Sequence, residues 1–501
     1  MKKIIINQTP WQTRIAITRD GRVQNIYFSS PTVEHLERSY YKGTITKVLP
    51  GMQTAFVDIN QPKAGFLHIS EVDRDLAIQK ISHTTELGQE APKKKRQEKP
   101  DIAKIFKEGE QVLVQVSKEP VYEKGAKLTT CFTLPGRFIV LMPNIPRIGV
   151  SKKIENREER QRLKEIVGKE LGETMGAIIR TSAEDQSEKE ILKDVRYLVS
   201  VWEGIQKAFK DAEPAQRIYE DLPLALQIVR DHLDDDVEAV ITDDRDSQQQ
   251  MYKFIKKIAP EFADRIRYYN NPINIFDFYG IQSQLLDALK KKAELKSGGS
   301  LIIETTEAMT VVDVNTGKFV GKTNLEETIL KTNLEAAEEV VRQLRLRNIG
   351  GLIVIDFIDM ATAANRQKLM RHFEKTLKER DRFQSVVLKV SEFGLVQMTR
   401  KRSGKTLQQQ LTDDCPNCKG SGHVMSLRTE CFGLLRTLES AMLDAKKETE
   451  YVLSVSPEMF DYLTKEQYNS ILALEKHFGG KLVLESKKGL VLSAYELKEK
   501  K

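Results

Sequence analysis

The sequence predicts an α/β multidomain protein that carries one small β-barrel. Three observations predict it. A chain of 501 residues exceeds what a single hydrophobic core supports, so three or four domains are expected. Short alternating strands broken by turns gather between Tyr41 and Ser70. Further on, two strongly apolar strands, at 308–314 and 352–358, bracket a long helical stretch, the pattern of a layered α/β unit.

The barrel strands follow in order. Gly43-Thr44-Ile45-Thr46-Lys47-Val48 alternates, Pro50-Gly51 turns the chain, and Ala55-Phe56-Val57-Asp58-Ile59 alternates again. A second turn at Gln61-Pro62-Lys63 leads into Gly65-Phe66-Leu67-His68-Ile69. From Asp75 to Pro100 the pattern breaks around the basic run Lys93-Lys94-Lys95-Arg96, which is expected to be a mobile insertion. The barrel resumes at Gln111-Val112-Leu113-Val114-Gln115-Val116. Helical spacing from Glu155 to Lys210, then helices mixed with Val237-Glu238-Ala239-Val240-Ile241, predict a further small α/β unit.

The layered unit runs from Ile273 to Lys401. Its long helix is expected from Leu325 to Asn348, with Asn324 as N-cap, Glu327 three residues on, and Gly350-Gly351 as terminator. A second helix, Asn365 to Arg380, precedes strands at 385–390 and 395–399. The strands are so continuously apolar that both sheet faces are expected to be covered. Beyond Ser426 the pattern is that of a small α+β domain. No internal repeat is present.

Both strong strands end in carboxylates, Val311-Val312-Asp313-Val314-Asn315 and Ile353-Val354-Ile355-Asp356-Phe357. An aspartate inside an apolar strand is costly unless its charge is compensated. Side chains two apart share a strand face, so Asp313 and Asn315 point the same way. Sites in open α/β sheets gather beyond the carboxyl ends of strands. Two hard oxygen ligands meeting there suit Mg²⁺. The competing reading is that each aspartate pairs with an arginine or caps a helix. Asp359 fits a turn or supporting role. The segment 317–323 (Gly-Lys-Phe-Val-Gly-Lys-Thr) approaches a phosphate-binding loop but is one residue short, with Thr316 where glycine is required, so that reading is set aside.

Cys415-Pro416-Asn417-Cys418 followed by Gly420 and Gly422 forms half of a zinc knuckle. Structural zinc takes four ligands, and only two are local. Cys131 and Cys431 lack knuckle flanks, and His423 could add at most a third. The simplest completion is a second copy of the chain sharing one Zn²⁺. In the barrel, Phe56 and Phe66 with His68 and Lys124 are either core or a platform on which single-stranded bases stack. Arg180-Thr181 offers an arginine fork beside a hydroxyl, suited to a terminal phosphate, or else a plain surface ion pair.

A net charge of +7 permits an anionic partner without demanding one. The N-terminal Ile4-Ile5-Ile6 is too short for a signal core, and no apolar run approaches a membrane span, so no membrane role is expected. Four cysteines make no disulfide framework and place the chain in a reducing cytoplasm. Nucleophilic catalysis by a serine or cysteine triad is unsupported by the histidine pattern.

These motifs together resemble the bacterial ribonuclease E/G family. The resemblance is carried by Ala55-Phe56-Val57-Asp58, Gly65-Phe66-Leu67, Leu141-Met142-Pro143-Asn144, Ile179-Arg180-Thr181, Val312-Asp313-Val314-Asn315-Thr316-Gly317, Lys331-Thr332-Asn333-Leu334-Glu335-Ala336, Gln343-Leu344-Arg345-Leu346-Arg347-Asn348, Ile353-Val354-Ile355-Asp356-Phe357-Ile358-Asp359-Met360 and Cys415-Pro416-Asn417-Cys418. It implies a Mg²⁺-dependent endoribonuclease that hydrolyses single-stranded RNA to 5′-phosphate and 3′-hydroxyl ends, in rRNA processing and mRNA decay, stimulated by a 5′-monophosphate. Asp313 and Asp356 would hold the ion and Asn315 would steady Asp313 or a bound water. Phe56, Phe66 and Lys124 would grip RNA. Arg180, Thr181, Gly136, Val140 and Lys152 would form the 5′-phosphate sensor. Cys415 and Cys418 would share Zn²⁺ across a homodimer that could pair into a homotetramer.

The implied architecture is an RNase H-like domain from residues 1–38 and 210–272, with an OB-fold RNA-binding barrel at 39–125 inserted in it and itself interrupted by a basic loop at 75–105. The sensor region would span 126–209, a DNase I-like catalytic domain 273–402, a zinc-link 403–425 and a small dimerisation domain 426–501. Two departures stand out. Lys152 sits where the family often has arginine, which replaces a fork by a point charge. The basic run at Lys93 also lacks a counterpart in the best-known members. The chain ends just past the small domain, so it resembles the short, ribonuclease G-like members.

Overall fold

The computed structural model describes residues 1–31, 35–73, 101–120, 125–316, 325–391, 393–402, 404–418, 420–443 and 450–500. The basic run Lys93–Arg96, Lys124, the loop-like segment 317–323 and the expected cap Asn324 lie outside the described residues. Residues 1–408 form one compact unit and 409–501 a second.

In the first unit, strands Lys2–Gln8, Thr13–Arg19 and Arg22–Ser29 form an antiparallel meander. The meander is extended through Lys2–Gln8 by two parallel strands from far along the chain, Val237–Thr242 and Ile266–Tyr268. The isoleucines of the first strand are fully buried because this sheet has cores on both faces. One of them includes Ile275, Phe276, Ile281 and Leu285. The helices Ile275–Phe278 and Ile281–Asp287 therefore pack with this sheet, in a core that Leu346 and Leu407 also enter.

The barrel strands are Tyr40–Leu49, Thr54–Asp58, Gly65–His68, Gln111–Lys118 and Lys127–Thr129. Pairing of Tyr40–Leu49 with Gln111–Lys118 closes the sheet on itself, and closure removes the vulnerable edges. The barrel continues past the expected boundary at 125, since Lys127–Thr129 is one of its strands. The expected loop also ends early: Ile102–Ile105 is a helical turn whose two isoleucines fill the barrel core. Asp101 caps that turn by accepting from the Ala103 amide.

Residues 157–171 and 188–211 are helices on either side of the strand Gly176–Ile179, in a small four-stranded sheet. The layered unit is a six-stranded sheet. Its centre is Met309–Asn315 parallel to Gly351–Asp356, joined by the helix Leu325–Leu346. The second helix is Ala363–Arg380, followed by strands Ser385–Val387 and Leu395–Arg400.

Two expectations are corrected here. Burial alternates along the central strands, with Val312 and Val314 in the core while Val311 and Leu352 are exposed. The core between sheet and helices lies on one face only, so the continuous apolar run marks a one-sided sheet. The helix terminator is Asn348, in the left-handed region at φ 50, where the Ile349 amide closes back on the Leu344 carbonyl at 2.9 Å. Gly350 and Gly351 serve a different need: a Cβ on either would collide with Arg402.

In the second unit, Glu450–Val455 lies between Lys481–Ser486 and Tyr495–Lys500, with the helices Leu427–Leu443, Pro457–Lys465 and Tyr468–Phe478. Among the described residues no helix is long and apolar enough to cross a membrane.

Candidate active site

The parallel register sets Asp313 directly beside Asp356. Adjacent strands lie about 4.8 Å apart, so two side chains in register on one face are near neighbours. Both face away from the helices, since Val312, Val314, Ile353 and Ile355 occupy the core face. Asn315 donates from Nδ2 to Asp313 Oδ2 at 2.8 Å. Burial and the charges of Asp313 and Asp359 push the Asp356 carboxyl above its ordinary range. Asp313 and Asp356, with the Asn315 amide beside them and Asp359 three residues beyond the second strand's end, present oxygen donors of the kind that could hold a hard cation. Among the described residues no three His, Cys, Asp or Glu side chains converge closely enough to hold a metal. Asp359 thus acts on Asp356 through its charge, and a bound ion would complete its shell with water.

The loop after Asp356 is held by a residue that periodicity does not single out. Asn333, fully buried on the long helix, donates to the Ile358 carbonyl at 2.8 Å and accepts from the Ile358 amide at 3.1 Å. Glu326 on the same helix accepts from the Ala361 and Thr362 amides and from Asn365. Asn333 lies in one of the strings that carry the family resemblance, without a role read for it there; apart from that, its signal is a polar residue at a core position of the helix.

On the barrel, Ala55, Val57 and Leu67 are wholly buried, whereas Phe56 and Phe66 are half-exposed. The strand alternation therefore points both rings outward, which overturns the core reading. Phe56 and Phe66 are direct cross-strand partners. Lys47 lies opposite Phe56 on one neighbouring strand, and Lys127 opposite Phe66 on the other. The result is a row of two aromatics bounded by two lysines, of which Lys127 is ion-paired with Glu71. The two lysines went unnoticed in the sequence because register, not spacing, brings them to the rings.

Arg180, Thr181 and Lys152 line one cleft of about 2430 Å³, together with Asp231, Arg345 and Arg382. Arg180 Nη1 donates to Asp231 Oδ1 at 2.8 Å and to the Gly136 carbonyl at 2.7 Å. Burial alone would raise the Asp231 carboxyl, but Arg180 and Arg230 outweigh it and hold it down to about 2. Thr181 shares a hydrogen bond with Ser151 at 3.1 Å, and Lys152 is exposed. Gly136 and Val140 are not on the cleft wall. Gly136 is buried in a turn whose following amides, Arg137, Phe138 and Ile139, all donate to Asp194, and a Cβ at Gly136 would strike that carboxylate. Val140 sits in the sheet opposite Ile178.

In the second unit, the Cys418 and Asn417 amides donate toward Cys415 and pull its thiol below the usual value, which favours the thiolate that zinc binds. Cys431 is buried in that unit's core and His423 makes no three-ligand group with the two cysteines.

Comparison with known proteins bears on the whole chain. The model of the Ribonuclease E/G family matches residues 133–403. An S1 RNA binding domain model matches residues 37–130, in agreement with the closed barrel, and an RNase E/G thioredoxin-like domain model matches 414–500. Ribonuclease G of Escherichia coli strain K12 is 38% identical over 477 residues, covering 95% of both chains. Ribonuclease G of Haemophilus influenzae is 38% identical over 481 residues and 96% of both. Ribonuclease E of Haemophilus influenzae is 34% identical across 95% of this chain but only 50% of its own length. With the paired strand-end aspartates, the closed barrel and similarity along nearly its entire length, the chain belongs to the ribonuclease E/G family.

Proposed function

We propose how this family member, an endoribonuclease of RNA processing, cuts its substrate: Asp313 and Asp356 together hold one Mg²⁺ against a single-stranded RNA. The observation that carries the proposal is the direct register of the two aspartates on the open sheet face. Their oxygens fit a divalent cation, as does the raised Asp356, which burial and then the charges of Asp313 and Asp359 push up. When bound, Mg²⁺ supplies a Lewis acid and an activated water. The chain does the rest. Asn315 fixes the rotamer of Asp313, Asn333 holds the backbone after Asp356, and the sheet keeps both carboxylates prepositioned, so little reorganisation is needed. The products carry 5′-phosphate and 3′-hydroxyl ends.

Phe56 and Phe66 stack bases while Lys47 and Lys124 attract the backbone, which favours single strands and tolerates most sequences. Arg180, Thr181 and Lys152 receive a 5′-monophosphate, with Gly136 and Val140 shaping the turn and strand behind them. In this reading the aspartate-bearing sheet is a DNase I-like layer, the first sheet is RNase H-like, and Cys415 and Cys418 contribute half of a zinc-link that joins a homodimer, two of which could pair. Substrates are mRNA and rRNA precursors.

The test separates binding from chemistry. Asp313→Asn and Asp356→Asn should each lower Mg²⁺-supported cleavage by roughly 10²–10³-fold or more while RNA binding persists. Full cleavage by either variant, or single-stranded DNA cut as fast as RNA, would sink the proposal. For the zinc-link, a Cys415→Ala protein that stays dimeric with full zinc content would refute ligand sharing.

A further inference from the structure

The two strand-end aspartates are steadied by different means. Asp313 has a side-chain donor, Asn315, two residues along its own strand. Asp356 is the last residue of its strand, and among the described residues no side-chain hydrogen bond reaches its carboxylate. Its placement therefore depends on the backbone that follows, residues 357–362, where the sheet ladder has ended.

That backbone is gripped at two points from one helix. Glu326 and Asn333 lie seven residues apart on the helix Leu325–Leu346, so both project from the same face, two turns from each other. Asn333, wholly buried, satisfies both the carbonyl and the amide of Ile358, at 2.8 and 3.1 Å. Glu326 takes the other end. Its carboxylate accepts from the Thr362 amide at 3.1 Å, the Ala361 amide at 3.3 Å and the Asn365 side chain at 3.0 Å.

Thr362 is the N-cap of the helix Ala363–Arg380, yet its side chain makes no capping bond. A carboxylate from a different helix fills that place, where it also meets the positive end of the helix dipole. The Thr362 amide, and after it the Asn365 side chain, hold the Glu326 carboxyl below its ordinary range. Between the two grips, Phe357 and Met360 are buried in the core, and Arg366 donates to the Met360 and Ala361 carbonyls. A connecting loop is ordinarily the mobile part of a layered unit. Here its peptide groups at 358, 360, 361 and 362 are all engaged, which is the support a working carboxylate needs to stay within about half an ångström of its place.

We propose that Glu326 is a positioning residue for cleavage: with Asn333 it forms a two-point clamp that fixes the backbone after Asp356, and so the side of the cation site that no side chain steadies. The proposal rests on the reading of Asp313 and Asp356 as a Mg²⁺ pair. Glu326 and Asn333 touch neither the ion nor the RNA in this account; they act through the position of Asp356.

The experiment compares Glu326→Ala, Glu326→Gln, Asn333→Asp and Asp356→Asn with wild type. The readings are Mn²⁺ affinity of the RNA-free protein by electron paramagnetic resonance, single-turnover cleavage with Mg²⁺ at saturating RNA, RNA binding without metal, and the urea midpoint. Glu326→Ala should weaken Mn²⁺ binding and slow cleavage by about tenfold each, the usual cost of losing an outer support of a metal ligand, while RNA binding keeps its wild-type value. Glu326→Gln, which retains an acceptor oxygen at the same reach, should recover most of that loss. Asn333→Asp, which still accepts from the Ile358 amide but no longer donates to its carbonyl, should move in the same direction as Glu326→Ala. Wild-type Mn²⁺ affinity and cleavage in Glu326→Ala and Asn333→Asp, with both lost in Asp356→Asn, would overturn the clamp and leave the cation pair standing. Losses that come only with a collapsed urea midpoint or lost RNA binding also overturn it, because the two residues would then support the fold alone. If Asp356→Asn keeps wild-type Mn²⁺ affinity, the cation reading itself fails and the clamp with it.

Discussion

The barrel and the layered sheet solve one problem in opposite ways. Each has a strand pair whose inward residues are core, and each leaves the outward residues of that pair open. In the barrel those outward residues are Phe56 and Phe66, opposed in register and flanked by Lys47 and Lys127. In the sheet they are Asp313 and Asp356, also opposed in register. Two aromatic rings side by side are content with each other and with a base. Two carboxylates side by side repel, and that repulsion adds to burial in raising Asp356. On the proposed reading, the binding surface is built from groups that are stable alone, whereas the acting surface is built from groups whose charges a cation would relieve.

The comparison can be broken at its most demanding point. Asp313→Glu keeps the charge but moves the carboxylate along by one methylene. If placement is what matters, kcat should fall about 10²-fold, measured in single turnover at saturating RNA. Near-normal turnover would show that charge alone suffices and that register is incidental.

Next in size is a test of whether paired acids outside the active face are structural. Asp231 lies far below its ordinary value, at about 2, and its side chain is 19% exposed in the ion pair with Arg180. A depressed folded pKa stabilises the fold above the unfolded value and loses that effect as pH falls through the folded one. The contribution, about 2 kcal/mol, should be complete above roughly pH 4 and vanish toward pH 2. Asp231→Asn should therefore lower urea stability by about that amount at pH 7, and an unchanged midpoint would remove the ion pair from the account.

On the binding side, Phe56→Ala should raise KM for single-stranded RNA by about tenfold, the loss of one stacked base, with kcat little changed. A kcat effect instead would mean that the ring positions the scissile bond. The smallest effect is expected at Lys47. Lys47→Ala should weaken binding only a few-fold and flatten the salt dependence by about 0.7 in log–log slope, one phosphate contact on a single strand. An unaltered slope would place RNA on another face of the barrel.

Much of this was legible beforehand, and unevenly so. Alternation and turns located the barrel strands, and the apolar runs located both central strands to within two residues. The aspartates stood out because charge inside an apolar strand is conspicuous. What misled was the continuity of those runs. Val311 and Leu352 look like core in a linear string, yet they lie on the open face, because both helices of this layer pack on the other side. Asn348 rather than Gly350 ends the long helix, since asparagine is among the few residues other than glycine that enter the left-handed region. Gly350 and Gly351 answered to the approach of Arg402, a constraint written nowhere near them in sequence.

By itself, then, the sequence determined which segments are strands and helices, which residues are chemically capable, and which family supplies the pattern. Those properties depend on local periodicity and residue type, which a one-dimensional string contains. Only the tertiary structure decided that Asp313 stands beside Asp356, that Phe56 and Phe66 turn outward between two lysines, and that Arg382 enters the cleft with Arg180. Strand register and the packing of distant turns arise from contacts between residues tens to hundreds of positions apart, and no local pattern encodes them.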